Sequence, residues 1–140
     1  MLLLLSACDS PRNNRVLPGD NKSAPLAANK VFNTNNYLVQ YQWLSGPFSN
    51  VKQPSSLIVY LSRDGKPVSL PAGQDLNFYA TMPSMGHPVE QPGYFEELSL
   101  GIYLNKNIVF NMQGPWSLEL WIQETVTFDI LDKVQWSITL

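Results

Sequence analysis

The sequence is short of nearly everything that catalysis and charge-driven binding use. One cysteine and one histidine in 140 residues allow no intramolecular disulfide and no pair of imidazoles sharing a metal or a proton. Charged residues make up 14%, with 9 Lys and Arg against 11 Asp and Glu, so the cationic footprint that nucleic acid requires is missing. No nucleophile elbow and no phosphate-cradling glycine loop occurs. Glu96 and Glu97 are adjacent and face opposite sides of a strand, and Glu90 and Asp75 stand alone, so no acid/base pair is visible. The expectation is a protein that is not an enzyme. Helical periodicity, internal repeats and charge blocks are also absent. What is present is apolar: 44% hydrophobic and 11% aromatic, enough for one core in one domain.

The chain divides by composition into three parts. Residues 1–8 read MLLLLSAC, an apolar run far below the ~20 residues that cross a bilayer and similar to the end of a secretory signal peptide. Leu5-Ser6-Ala7-Cys8 resembles the lipobox of bacterial lipoproteins, which implies acylation of Cys8 and a membrane-lipid anchor. The basic region expected ahead of such a signal is missing, so a start upstream is expected, and Asp9 favours the inner membrane by the sorting rule of that class. Residues 9–30 are rich in Asn, Pro, Ser, Gly and Ala and read as a flexible linker. Residues 31–140 are expected to fold.

That last part alternates with period two. Tyr37, Val39, Tyr41 and Trp43 share one face, as do Leu57, Val59 and Leu61, then Leu76, Phe78, Ala80 and Met82. Leu98, Leu100, Ile102 and Leu104 form a further apolar set, resumed by Ile108, Phe110 and Met112. Trp116, Leu118, Leu120 and Ile122 follow, then Val126, Phe128 and Ile130, and finally Val134, Trp136, Ile138 and Leu140. Turn residues separate the sets, with Asp64-Gly65 a hairpin signal. The pattern predicts an all-β fold, an immunoglobulin-like antiparallel β-sandwich of about seven or eight strands.

The segment MPSMGHP at Met82–Pro88, Gly101-Ile102-Tyr103, and the stretch Phe110–Trp116 that reads FNMQGPW resemble, in that order, the FixH/YtkA-like domain family. The likeness covers roughly residues 37–122. It implies an immunoglobulin-like sandwich outside the bacterial cytoplasm, often membrane-attached, in a setting of copper-oxidase assembly and metal handling. A membrane-protein or metalloprotein partner is the corresponding expectation.

The residues themselves support two readings. Thioethers and imidazole suit copper, so Met82, Met85 and His87 form a candidate copper site, joined by Met112 if the strand ends meet, with Trp116 covering the ion. Against this, Met82 and Met112 share parity with core residues, and methionine is a common gap-filler. The second reading is a metal-free interaction module whose alternate-face aromatics Tyr60, Tyr79, Tyr103 and Trp121 meet a partner.

Overall fold

A computed structural model describes residues 30–140; the lipobox with Cys8 and almost all of the linker lie outside the described residues. Ten strands follow one another: β1 (Lys30–Phe32), β2 (Tyr37–Ser45), β3 (Ser55–Arg63), β4 (Lys66–Pro67), β5 (Gln74–Met82), β6 (His87–Pro88), β7 (Glu96–Ser99), β8 (Ile102–Ile108), β9 (Pro115–Glu124) and β10 (Ile130–Thr139). They form two antiparallel sheets, one of six strands ordered β1-β2-β3-β8-β7 with β4 beside β3, the other of four ordered β10-β9-β5-β6. The result is the expected antiparallel β-sandwich. The strand number exceeds the expectation because β1, β4 and β6 are only two or three residues long, too short to show a period.

The core lies where most of the alternation places it. Val39, Leu57, Val59 and Leu61 face inward from the larger sheet, against Leu76, Phe78, Ala80, Leu118, Leu120 and Ile122 of the smaller one. Aromatic rings fill the space between: Phe78 and Phe110 meet edge to face at 6.3 Å, and Tyr41 of β2 stacks on Trp136 of β10 at 4.4 Å. Such pairs contribute about 0.5–1.5 kcal/mol beyond the area they bury. Burial raises the Tyr41 phenol pKa above its ordinary value, because an anion there would lose its hydration.

Two expectations are corrected. In β8 the inward side chains are Tyr103 and Asn105, not Ile102 and Leu104, while Leu98 and Leu100 are exposed. A register shift between Ser55 and Leu57 of β3 reverses the parity before Ile108, so a single alternation does not run through the strand. Buried Asn105 donates to Pro92 O at 2.9 Å and accepts from Asn107 N at 3.1 Å, and Tyr103 Oη accepts from Leu70 N at 2.8 Å. Both polar groups are thereby satisfied. The second correction concerns Val126, Phe128 and Ile130, which form no separate strand. Phe128 N donates to Glu124 O at 3.1 Å and Glu124 N to Asp129 O at 3.0 Å, closing a β9–β10 hairpin that leaves Val126 and Phe128 in solvent.

Candidate functional site

The hairpin joining β5 to β6 builds the site. Met85 N and Gly86 N both donate to Met82 O, at 3.1 and 2.9 Å, and Gly86 takes φ +60°, a conformation that costs glycine little. The turn sets Met82 directly opposite His87 in the β5–β6 register. Directly opposed residues project from the same sheet face, so Met82, 3% exposed in the core, and half-buried His87 are neighbours on one face. Met85 is carried on the outside of the turn and is 61% exposed.

The segment after β8 closes over this pair. Asn111 Nδ2 donates to His87 Nε2 at 2.8 Å and to Glu90 Oε2 at 3.1 Å. Asn111 Oδ1 is buried without a partner among the described residues. Met112 is half-buried against the core, and its carbonyl accepts from Trp116 Nε1 at 3.1 Å. Gly114 lies against Met82, since a Cβ there would stand 2.9 Å from Met82 Cε.

The structure thus gathers Met82, His87, Asn111, Met112 and Trp116 at one end of the sandwich and leaves Met85 outside. Trp116 is 1% exposed, with its ring edge to face against Phe110 at 5.1 Å, so it is a core residue and offers no exposed face to a partner. Asn111 was not legible beforehand; a lone asparagine between strand patterns carries no periodic signal. In donor type, Met82, His87 and Met112 fit a soft cation. Among the described residues no three of His, Cys, Asp and Glu gather into a metal-holding group, so any ion here would depend on the thioethers.

The alternate-face aromatics separate. Tyr79 and Trp121 stack at 4.7 Å on the outside of the smaller sheet, where Trp121 Nε1 donates to Glu119 Oε2 at 2.6 Å. Tyr60 lies on the outside of the larger sheet, and Tyr103 faces the core. Around Tyr60 the reversed parity of β8 brings Ile102 and Leu104, expected inward, to the outer face: Ile58 opposes Leu104 and Tyr60 opposes Ile102. A groove of about 520 Å³ runs along it between Tyr60, Pro67, Leu100 and Ile102.

The fold and this end of it define a two-sheet antiparallel β-sandwich with a methionine–histidine pair at one pole. It is similar in structure to FetP from uropathogenic Escherichia coli strain F11, crystallised as isolated after expression in the periplasm, with TM-score 0.52 and 12% sequence identity over 84% of this chain and 95% of that one. That likeness is one of fold. No family model matches the chain, and no curated protein matches it in sequence.

Proposed function

We propose that the protein is a membrane-anchored extracytoplasmic lipoprotein whose β-sandwich is a non-catalytic interaction domain of FixH/YtkA-like type. The observation that carries this reading is the outer face of the larger sheet. Half-buried Tyr60, Ile102 and Leu104 lie there with Ile58, itself 9% exposed, as cross-strand pairs, flanked by exposed Leu98 and Leu100, and no strand or helix among the described residues packs over them. A contiguous apolar patch with polar residues at its margin, here Gln40, Gln42 and Glu96, is the mark of an interaction surface. A membrane-protein or metalloprotein partner supplies the cover in this reading. The Cys8 motif supports the anchor, and expression of the structural neighbour in the periplasm is in keeping with the location.

Replacing half-buried Ile102 with lysine tests the face. I102K is expected to cost no more than about 1 kcal/mol of stability, as for substitutions outside the core. It is expected to weaken partner association at least tenfold, as loss of a central apolar anchor does. Unchanged co-purification of the partner from membranes, with the fold intact by circular dichroism, would refute it.

The opposition of Met82 and His87 supports a second reading, a copper-binding accessory protein. Competition for Cu(I) against a chromophoric chelator is expected to show affinity falling at least tenfold in H87A and in the near-isosteric M82L and M112L, with M85L unchanged. Equal losses in M85L and H87A, or no competition by the unsubstituted chain, would remove copper from the account.

A further inference from the structure

The free edge of β5 opposite β9 borders a cleft outside the pole already described. β6 pairs with β5 only at Thr81 and Met82, and Val89 N donates to Ala80 O just before them. Toward its start, the β5 backbone is therefore paired on one side only among the described residues. Gln74 and Asp75 of that edge, with Tyr94, Phe95, Glu97 and Tyr103 across from them, line a cleft of about 230 Å³.

Its chemistry is one-sided. Two carboxylates, Asp75 and Glu97, border the cleft, and no lysine, arginine or histidine among the described residues does. Neither carboxylate has an ion-pair partner among the described residues, where the ion pair found is Lys133 with Glu119 on another face. Ser69 Oγ donates to Glu97 Oε1, which positions that carboxylate without neutralising it. Gln74 Oε1 is buried with no hydrogen-bond donor among the described residues. Burial, and then the negative charge of Glu97, raise the Tyr103 phenol pKa above its ordinary value. Three aromatic rings complete the lining, and Tyr94 stands largely in solvent at the side. Aromatic rings beside carboxylates favour an organic cation, and carboxylate acceptors favour one that carries N–H groups.

We propose that this cleft binds a primary alkylammonium group, with the Glu97 and Asp75 carboxylates balancing its charge and accepting its N–H bonds, and Tyr94 and Phe95 packing on its methylenes. A free polyamine and a lysine side chain of a partner protein share that chemistry. The inference is independent of both readings of the methionine–histidine pole.

The test is titration of the full chain, uniformly labelled with nitrogen-15, with cadaverine, with lysine blocked at both backbone ends, and with tetramethylammonium. Saturable shifts confined to residues 74–77 and 94–97 are expected with the first two. Tetramethylammonium, which has no N–H to donate, is expected to bind at least tenfold more weakly. E97Q keeps an acceptor for Ser69 and is expected to remain folded while losing at least tenfold in affinity. Tighter binding of cadaverine assigns the site to a free polyamine, and tighter binding of blocked lysine assigns it to a protein partner; either supports the proposal. Absence of saturable shifts, equal affinity for tetramethylammonium, or unchanged affinity in E97Q overturns it.

Discussion

Trp116→Ala is expected to destabilise the domain by about 3–5 kcal/mol, the range for removing a large aromatic from a packed core. The residue is 1% exposed, packs on Phe110, and donates its indole N–H to Met112 O. The substitution therefore opens a cavity and strips a donor from the carbonyl of a candidate ligand. Against a total stability of about 5–15 kcal/mol, the loss is large. A domain of this size is expected to show a thermal midpoint lower by about 10–20 °C. Trp116→Phe keeps most of the volume and is expected to cost distinctly less. If Trp116 were instead a surface residue covering an ion, both substitutions would leave the metal-free midpoint almost unmoved, and calorimetry distinguishes the two.

Gly101→Ala is expected to cost about 3 kcal/mol or more, although it adds a single methyl. Gly101 has φ +73°, and a Cβ would stand 2.5 Å from Leu61 O and 3.0 Å from Val68 N. Those atoms are fixed, because Val68 N donates to Leu61 O at 3.0 Å and Leu61 N to Gly101 O at 2.8 Å. The methyl must break that junction in addition to adopting a left-handed backbone, which alone costs an L-residue roughly 1–2 kcal/mol. Gly65 supplies the control, since it has φ +75° with nothing within 4 Å of a built Cβ. Gly65→Ala is therefore expected to cost only the backbone part. Urea denaturation of both variants checks the difference, and equal losses would mean that the close approach at Gly101 carries no energy. The junction also fixes Leu100 and Ile102, on either side of Gly101, within the proposed interaction face.

Most of the sandwich was legible because one face of each long strand is buried and the pleat repeats every two residues. Leu76–Met82 and Trp116–Ile122 lie as their alternation indicates. Alternation failed in β8, where two polar side chains point inward. Asn105 and Tyr103 do so by bonding to Pro92 O and Leu70 N, long-range partners that no local pattern announces. The register shift opposite Ser55–Leu57 then restores the apolar parity. Val126, Phe128 and Ile130 mimic a strand by spacing alone, while the hydrogen bonds of Glu124, Phe128 and Asp129 close them into a hairpin end. The same limits governed the candidate site. The Met82–His87 opposition follows from a short Pro-Ser-Met-Gly turn, but the grip of Asn111 on His87 arises from a segment on the far side of a strand crossover.

Reversal of β8 has the largest functional consequence, because it moves Ile102 and Leu104 from the core to the outer face beside Tyr60. Photo-crosslinking from that face tests the central claim most directly. With a photoreactive amino acid at Tyr60 or, as a control, at Tyr79 on the opposite sheet, the full chain is irradiated in intact membranes. The account predicts a discrete crosslinked species from position 60, abolished by I102K, and none from position 79. Equal crosslinking from both positions, or a species at position 60 that survives I102K, would contradict it.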